Sequence, residues 1–467
     1  MIMDSGTAAG TREDRWRSGK ALRRQVPLEA LGALDRTEKT DPVALLESQA
    51  ETRVPELVPV RYGRMLVSPF TFYRGAAKIM AADLAQSPRT PLTTQLCGDA
   101  HLSNFGVFAS PERRLVFDLN DFDETHPGPF EWDVKRLLAS LEIAGRFNAF
   151  SRKQRRSVVL AAARAYRLAI RDLATKTNLA VWYAHQAVQP GLPGLRTLRS
   201  KETRRAVRKT LDKAYSRDNL GSLRSLTETV DGRLRFVSNP PLVVPSRELD
   251  LPGAASVGLE NWIAELLEQY RQTLSHDRRR LVEQYTFVDI ARKVVGVGSV
   301  GTRAWIVLLR GVDDQDPLIL QAKEATASVL EPHTEPSVFG SHGERVVQGQ
   351  RLMQAYGDVL LGWQFWPDRP APHYYVRQLR DWKGSMAVEG LDVEAVTTYA
   401  GYCAWTLARA HARSGDRLAI AGYLGSKDAF DTAMADYAGA YADVNERDFA
   451  ALEAAAADGR IDVQRGV

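Results

Sequence analysis

The stretch CGDAHLSNFGVFASPERRLVFDLNDFDETHPGPFEWD, residues 97–133, decides the fold. Near its start, Asp99 is followed five positions later by Asn104, both within a segment that has the character of a loop. A carboxylate at the first position can orient a hydroxyl group and accept its proton, and the amide oxygen at the second is a hard ligand suited to Mg²⁺. These residue types are therefore compatible with a loop that orients a hydroxyl group beside a metal ion.

The same stretch continues with two strand-like runs, FGVF and RLVFDL, and ends in a group of acidic residues. A carboxylate at the end of such a strand is suited to be a second metal ligand. The number of residues back from Asp133 favours Asp121 as this metal ligand, whereas the number forward from Asn104 favours Asp118. Asp123 also remains a candidate. His101 is a further candidate for a contact with metal or phosphate, or for a structural hydrogen bond within the loop.

A second polar group lies far downstream, in VVGVGSVGT at residues 294–302. Glycines let a hairpin backbone approach phosphate groups closely. The strand-like run RAWIVLL follows rather than a helix, so a phosphate-covering hairpin is favoured over a dinucleotide-binding turn. Lys323 then ends the predicted strand PLILQAKEA, a position from which a lysine can pair with phosphates. The candidate phosphate-binding residues of the loop are Gly296, Gly298, Ser299 and Gly301.

A helix is predicted near residues 344–354, and in the protein-kinase-like proteins that this part of the chain resembles, such a helix carries a glutamate that anchors the lysine. Glu344 is one candidate partner for the lysine. Gln348 is the alternative occupant of the expected glutamate position, which leaves the ion pair open. The same resemblance implies that the next strand, HYYVRQLR, leads into the segment that contacts a nucleotide base, with Arg377 as a candidate nucleotide ligand.

Both groups of motifs resemble those of protein-kinase-like phosphotransferases, with Asp121-Phe122-Asp123 similar to their D-F-G motif. In aminoglycoside and choline kinases an aspartate that opens the next helix braces the catalytic loop, and Asp133 matches it. The two halves stand in the reverse of the usual order, and LARAHARSG, residues 407–415, resembles the helix that normally precedes the catalytic loop. The resemblance implies a two-lobed, circularly permuted α+β fold with extra helices.

Over residues 67–441 the chain also resembles the bacterial domain-of-unknown-function family numbered 2252. The segments that carry this resemblance include SPFTFYRGAA, CGDAHLSNFG, VVGVGSVGTR, YYVRQLRDWKGS and LARAHARSGD. It implies a kinase-like protein with ATP and Mg²⁺ as cofactors, without naming a substrate. It also suggests four further residues that could face the site: Tyr73, Arg74, Arg380 and Lys383.

The pattern of apolar and polar residues along the chain predicts four regions. Residues 1–25 are expected to form a flexible lead-in, and residues 26–290 a mainly helical large lobe that carries the catalytic and metal loops. Residues 291–385 are expected to form a β-rich nucleotide-binding lobe, and residues 386–467 a helical return to the large lobe.

Composition limits the cellular setting and the partners. Two cysteines in 467 residues do not make a disulfide framework, and no apolar run is long enough for a membrane span, so a cytoplasmic protein is expected. The net charge of +5 suits an anionic ligand. The basic stretches at 151–157 and 201–213 are more typical of solvated helix faces than of a nucleic-acid interface.

The expected function is ATP- and Mg²⁺-dependent phosphoryl transfer to a hydroxyl group of a small molecule. The alternatives are a nucleotide-binding regulator of pseudokinase type, a nucleotidyl transferase, and a nucleic-acid-binding accessory protein. Cys97 is expected to be a packed side chain and not a nucleophile, because no histidine base accompanies it.

Overall fold

The computed structural model describes residues 10–36, 40–188, 219–249, 259–294, 296–364, 372–379 and 382–466, together with positions 204, 205, 208 and 212. The helices are α1 (Arg12–Ala21), α2 (Pro42–Ala50), α3 (Val58–Met65), α4 (Pro69–Gly75), α5 (Ala77–Gln86), α6 (Phe130–Phe147), α7 (Arg152–Thr175), α8 (Asn178–Tyr183), α9 (Asn219–Leu226), α10 (Leu259–Gln272), α11 (His276–Val282), α12 (His342–Met353), α13 (Val393–Ser414), α14 (Arg417–Leu424) and α15 (Ala429–Ala457). The strands are β1 (Thr93–Leu96), β2 (Phe105–Ala109), β3 (Leu115–Leu119), β4 (His126–Pro129), β5 (Gln186–Ala187), β6 (Thr227–Val230), β7 (Arg233–Phe236), β8 (Val243–Pro245), β9 (Thr286–Lys293), β10 (Ala304–Arg310), β11 (Pro317–Ala325), β12 (Gly362–Gln364) and β13 (His373–Gln378). Helices and antiparallel sheets are both present, which confirms the predicted α+β class.

The largest sheet has six antiparallel strands in the order β12-β13-β11-β10-β9-β8. Strand β10 shows why it is covered on both faces, because successive side chains of a strand point to opposite sides. Trp305 and Val307 pack with residues of α10 and α11, whereas Ile306 and Leu308 pack with residues of α9. The β-rich unit therefore includes β8, β9 and the helices between residues 219 and 282, so it begins well before the predicted boundary at residue 291.

The helical body surrounds α6, which is buried along most of its length. Its neighbours are α7, α13 and α15. Ser151 begins α7 through a capping box with Gln154. Two small sheets lie on this body, β1-β4 and β2-β3-β5, and the loops between their strands hold the polar residues of the 97–133 stretch. Short strands on a buried helix thus fix where those loops begin and end.

The C-terminal helices return to the same body. The end of α13 contacts β1, since the Gln95 backbone N–H donates to Ser414 Oγ at 3.2 Å. Gly415 lies so close to Thr94 that a Cβ atom there would clash with its side chain. The segment LARAHARSG is therefore placed beside the strand that enters the Asp99 loop.

The first 25 residues are not simply a flexible lead-in, because residues 12–21 form α1. Thr11 and Asp14 close a capping box at the start of this helix. Its Gly19 lies against the backbone of Ala419 in α14, where a Cβ atom would be 1.9 Å from the Ala419 carbonyl oxygen. Glycine permits this close helix contact, which apolar periodicity alone does not reveal.

No helix in the described part of the chain is both long enough and apolar enough to span a bilayer.

A buried carboxyl in the helical body makes stability depend on pH. Asp83 of α5 lies 3.3 Å from Arg36, which also pairs with Asp448 at 2.8 Å. Burial and the charge of Asp448 raise the pKa of Asp83 to about 7, although Arg36 acts in the opposite direction. Because this pKa is higher in the folded state, the folded protein holds a proton that the unfolded chain has lost, and stability falls as the pH rises from about 4 to about 7.

We expect Asp83→Asn to remove most of this dependence. Between about pH 5 and pH 8 the variant should gain on the order of 2 kcal/mol in free energy of unfolding relative to the wild type. Urea denaturation at the two pH values measures the change. Asp172→Asn is the control, because the Asp172 side chain is 60% exposed beside Lys176. Parallel pH profiles for wild type and Asp83→Asn would contradict the assignment.

Candidate functional site

A cavity of about 300 Å³ lies where three loops meet. They are the Asp99 loop (residues 97–104), the acidic loop (residues 120–125) and the glycine loop (residues 296–302). The residues predicted from the sequence that line the cavity are Arg74, Asp99, His101, Asn104, Asp121, Asp123, Gly296, Gly298, Ser299 and Lys383. Two groups of motifs that are far apart in the sequence thus share one cleft.

An ion pair joins the two halves beside this cleft, although Lys323 itself is not among the residues that line the cavity. Lys323 Nζ lies 2.6 Å from Asp123 Oδ2 and 3.4 Å from Asp121 Oδ1, and the lysine side chain is 2% exposed. Burial alone would lower the pKa of Lys323, but the two carboxylates outweigh it and raise that pKa. Burial acts to raise the pKa of Asp121, but the charges of Lys323, Arg377 and Lys383 lower it to about 2. Lysine and aspartate are therefore both charged at neutral pH.

Asp123 is the most densely bonded carboxylate of the acidic loop. Besides the lysine contact, its Oδ2 accepts a hydrogen bond from Ser299 Oγ at 3.0 Å. Its Oδ1 accepts one from the Tyr375 hydroxyl group at 2.6 Å. The serine of the glycine loop is thus tied directly to the acidic loop across the cavity.

The glycine loop is also held from the N-terminal side. The Val54 N–H donates to the Gly301 carbonyl at 2.8 Å, and Arg64 Nη1 donates to the Gly296 carbonyl at 2.6 Å. Gly296 and Gly301 have φ angles of 67° and 90°, which favour glycine. Arg53 donates to the carbonyl of Val300 in the same loop. The loop is a folded turn with fixed ends.

Asp99 reaches the cavity while Arg136 holds it from behind. Arg136 Nε and Nη2 lie 2.9 and 2.8 Å from Asp99 Oδ1. Tyr73 is fully buried on the far side of Arg136, with its ring 3.9 Å from the guanidinium carbon and its carbonyl accepting from Nη2 at 2.7 Å. Tyr73 therefore positions Arg136 and does not face the cavity, which corrects its assignment as a site-facing residue.

Asn104 presents an unpaired oxygen at the cavity. Its Nδ2 donates to the backbone carbonyls of Asp99 at 3.1 Å and Asp121 at 2.9 Å. Its Oδ1 is buried without a hydrogen-bond partner, which is costly unless a ligand completes it. An orphaned amide oxygen beside two carboxylates suits Mg²⁺, which is held by few protein oxygens together with those of a substrate. In the described residues no three His, Cys, Asp or Glu side chains form a metal site on their own.

Asp133 braces the Asp99 loop, the role that the resemblance implied. Its Oδ2 accepts from the Cys97 N–H at 2.6 Å and its Oδ1 from the Gly98 N–H at 3.0 Å. His411 of α13 lies 3.4 Å from the same carboxylate. Gly98 has a φ angle of 83°, so a glycine suits the sharp turn at this point. Burial raises the pKa of the Cys97 thiol, which keeps it protonated.

Asp118 does not face the cavity, in contrast to its prediction as a metal ligand. Its carboxylate is 3% exposed and forms an ion pair with Arg409 of α13. It also accepts from the Ala355 N–H at 3.0 Å. These contacts use both oxygens to join β3 to α13 and to the segment that follows α12, and they leave Asp121 and Asp123 as the predicted metal-binding carboxylates that line the cleft.

Helix α12 reaches the acidic loop through a residue that was not predicted. Arg345 donates to the carbonyls of Asp123 and Thr326, both at 2.8 Å, and to that of Thr125. Neither Glu344 nor Gln348 is a partner of Lys323, whose ammonium group pairs with carboxylates of the acidic loop instead. The helix therefore acts on that loop and not on the lysine.

The remaining predicted residues lie around Asn120. Arg377 Nη1 donates to the Asn120 carbonyl at 3.1 Å, outside the main cavity, and Lys383 Nζ lies 3.4 Å from the same oxygen. Burial and the neighbouring cations lower the pKa of Lys383 to about 7. Arg380 lies outside the described residues.

His101 is a neutral imidazole at the edge of the cavity. Burial lowers its pKa to about 4, and its Nε2 lies 3.7 Å from Asp99 Oδ2. Its Nδ1 is buried without a hydrogen-bond partner. The side chain could therefore contact a ligand bound beside Asp99.

Two cavity residues have only weak signals in the sequence. Glu124 continues the acidic run, and burial raises its pKa to about 7 while its Oε2 accepts from the Val329 N–H at 2.8 Å. Arg53 stands in a stretch without a recognisable motif, yet it lines the cavity beside the glycine loop. Only the three-dimensional structure associates it with the site.

A family model described as "Uncharacterized protein conserved in bacteria (DUF2252)" matches residues 53–455. The match covers all three loops and Lys323, and it leaves α1 and α2 outside. No significant match was found among curated proteins or among solved structures.

We expect Asp133→Asn to destabilise the fold through the Asp99 loop. One acceptor oxygen becomes an amide group that faces a backbone N–H, so a buried donor loses its partner and the free energy of unfolding should fall by about 1–3 kcal/mol. Urea denaturation without any ligand measures this. Asp436→Asn, at a carboxylate that is 55% exposed, is the control. Equal stability of wild type and Asp133→Asn would show that the brace is unimportant.

Proposed function

The chain belongs to the DUF2252 family, and we propose that it is an ATP- and Mg²⁺-dependent phosphotransferase of circularly permuted kinase-like fold that acts on a hydroxyl group of a small molecule. The observation that carries this proposal is the contact of Lys323 with Asp121 and Asp123. A lysine at the end of a strand, beside carboxylates that suit Mg²⁺, is the arrangement that phosphoryl transfer requires.

Two contacts support the permuted arrangement. The end of α13 adjoins β1, the strand that leads into the Asp99 loop. A helix from late in the chain therefore occupies the place of the helix that precedes the catalytic loop in ordinary kinases. The segment after β13 crosses to the helical body, where Gly384 exchanges backbone hydrogen bonds of 2.7 and 2.9 Å with Val107 of β2. The β-rich unit and the helical body are thus connected at the edge of the cavity, as lobes around a nucleotide would be.

Each polar residue has a role in the proposed reaction. Asp99 orients the acceptor hydroxyl group and takes its proton as the new O–P bond forms and the bond between the β–γ bridging oxygen and the γ-phosphorus breaks. Lys323 and the backbone N–H groups of the glycine loop bind phosphate oxygens. Asn104, Asp121 and Asp123 would hold Mg²⁺, which neutralises phosphate charge. Positioning and electrostatic stabilisation then provide most of the rate enhancement.

A nucleotide-binding regulator without transfer activity is the second candidate. It is favoured by one observation, that α12 offers Lys323 no carboxylate partner. The two candidates share the binding site and differ only in turnover. A nucleotidyl transferase would differ in its products, since it would release pyrophosphate instead of ADP.

We expect Mg-ATP to stabilise the protein against thermal unfolding, because a ligand that binds only the folded state raises its stability. Lys323→Met should weaken the binding of Mg-ATP on the order of tenfold, since a hydrogen bond to a charged group contributes about 1.5–3 kcal/mol. Asp123→Asn should reduce the difference between the melting temperatures measured with ATP in the presence and in the absence of Mg²⁺. Lys153→Met, at an exposed lysine of α7, is the control. Unchanged melting temperatures with Mg-ATP in the wild type would refute a nucleotide site.

We expect Asp99→Asn to abolish transfer while Mg-ATP still binds. Loss of a general base lowers turnover by about 10²–10⁴-fold, and the isosteric amide preserves the shape of the loop. ADP release with a panel of hydroxylated metabolites measures transfer, and thermal shift measures binding. If wild type and Asp99→Asn both bind Mg-ATP and neither releases ADP, the regulator is favoured. Pyrophosphate release would favour the nucleotidyl transferase.

A further inference from the structure

Three arginines of the N-terminal region, two of them buried and the third, Arg74, half-buried, have no carboxylate partner in the described part of the chain. Among the described residues no carboxylate oxygen lies within 4.0 Å of Arg53, Arg61 or Arg74, whereas Arg136 and Arg409 are paired with Asp99 and Asp118. The Nε atom of each of the three is buried without a hydrogen-bond partner. Burying a cation without a counter-charge is costly, so an uncompensated group of this kind points to an anionic ligand.

The three arginines differ in what they can reach. Arg61 is fully buried and does not line the cavity, and its Nη2 donates to the carbonyl of Gly75 at 3.1 Å. Arg53 lines the cavity but is bound to the glycine loop through Val300. Arg74 also lines the cavity, and no hydrogen bond of its guanidinium group is seen in the described part of the chain. Arg74 is therefore the arginine that is available to a ligand.

Arg74 lies on the Asp99 side of the cavity. Burial lowers its pKa, and the nearby charges of Asp99 and Glu389 act in the opposite direction. The backbone on both sides of it is fixed, because the Tyr73 carbonyl accepts from Arg136 and the Gly75 carbonyl from Arg61. The guanidinium group thus lies near Asp99, the carboxylate that would orient an acceptor hydroxyl group.

We infer that the acceptor carries an oxyanionic group, a phosphate or a carboxylate, which Arg74 binds while Asp99 orients the hydroxyl group of the same molecule. This inference rests on the proposed function. A guanidinium group pairs with two oxygens of either anion, whereas a neutral polyol could accept its hydrogen bonds but would leave its positive charge without a counter-charge. The neutral His101, whose Nδ1 is also unpartnered, lies beside the same position and can hydrogen-bond the ligand.

The test separates an acceptor site from a second contact to the nucleotide. The full-length protein is saturated with Mg²⁺ and the non-hydrolysable analogue AMPPNP, and inorganic phosphate is then titrated by calorimetry. We expect phosphate to bind in the presence of the analogue, and Arg74→Gln to weaken it at least about tenfold while the affinity for the analogue changes less than about twofold. Arg74→Lys should retain part of the binding, and Arg156→Gln, at an exposed arginine of α7, should retain all of it.

Acetate in place of phosphate distinguishes the two sources of the anion, and tighter binding of one identifies the group that the acceptor carries. Three results would overturn the inference. Phosphate could compete with the analogue, phosphate binding could be unchanged in Arg74→Gln, or neither anion could bind. Failure of Mg-AMPPNP itself to bind would instead refute the proposed function. Arg74-dependent phosphate binding in the absence of the analogue would still support an anion site at this position.

Discussion

The contact of one buried lysine with two aspartates is the interaction on which the site depends. Lys323 belongs to the six-stranded sheet, and Asp121 and Asp123 belong to a loop on the helical body. Two neighbouring carboxylates repel each other unless a cation lies between them, and a buried ammonium group is unfavourable without counter-charges. Each half of the cleft thus carries a charge that only the other half neutralises. This ion pair fixes the orientation of the sheet relative to the helical body.

The polar residues that line the cleft are held from outside it. Arg136 positions Asp99, Asp133 binds the backbone of the Asp99 loop, and Arg345 binds the carbonyls of the acidic loop. Such supports matter because a polar group contributes to binding or catalysis only when its geometry is fixed before the ligand arrives. The helices α6, α12 and α13 that provide them come from distant parts of the chain, so the fold as a whole, and not the loops alone, defines the cavity.

Much of this could be predicted from the sequence, because the relevant signals are local. Loop spacing singled out Asp99 and Asn104, the end of a predicted strand singled out Lys323, and strand and helix patterns gave the α+β class. The errors arise where a tertiary partner decides. Asp118 stands in the same acidic stretch as Asp121, and its contacts with Arg409 and Ala355 from remote parts of the chain hold it away from the cavity. Arg345 was missed because a carboxylate was expected on α12. The start of the β-rich unit was misplaced because α10 and α11 read as part of the helical body until their sheet contacts are known.

Helix α1 extends the folded unit beyond the part of the chain that defines the family. The matched residues begin at position 53, yet Gly19 of α1 and Gly422 of α14 bring the two helix backbones together so closely that neither site has room for a methyl group. The backbone of Trp16 in α1 lies directly against Gly422, and Trp16 also packs against the buried apolar cluster that includes Leu418 and Ile420 of α14. A recombinant fragment trimmed to the family limits would uncover this apolar surface and invite self-association. A fragment chosen for expression or crystallisation should therefore include α1.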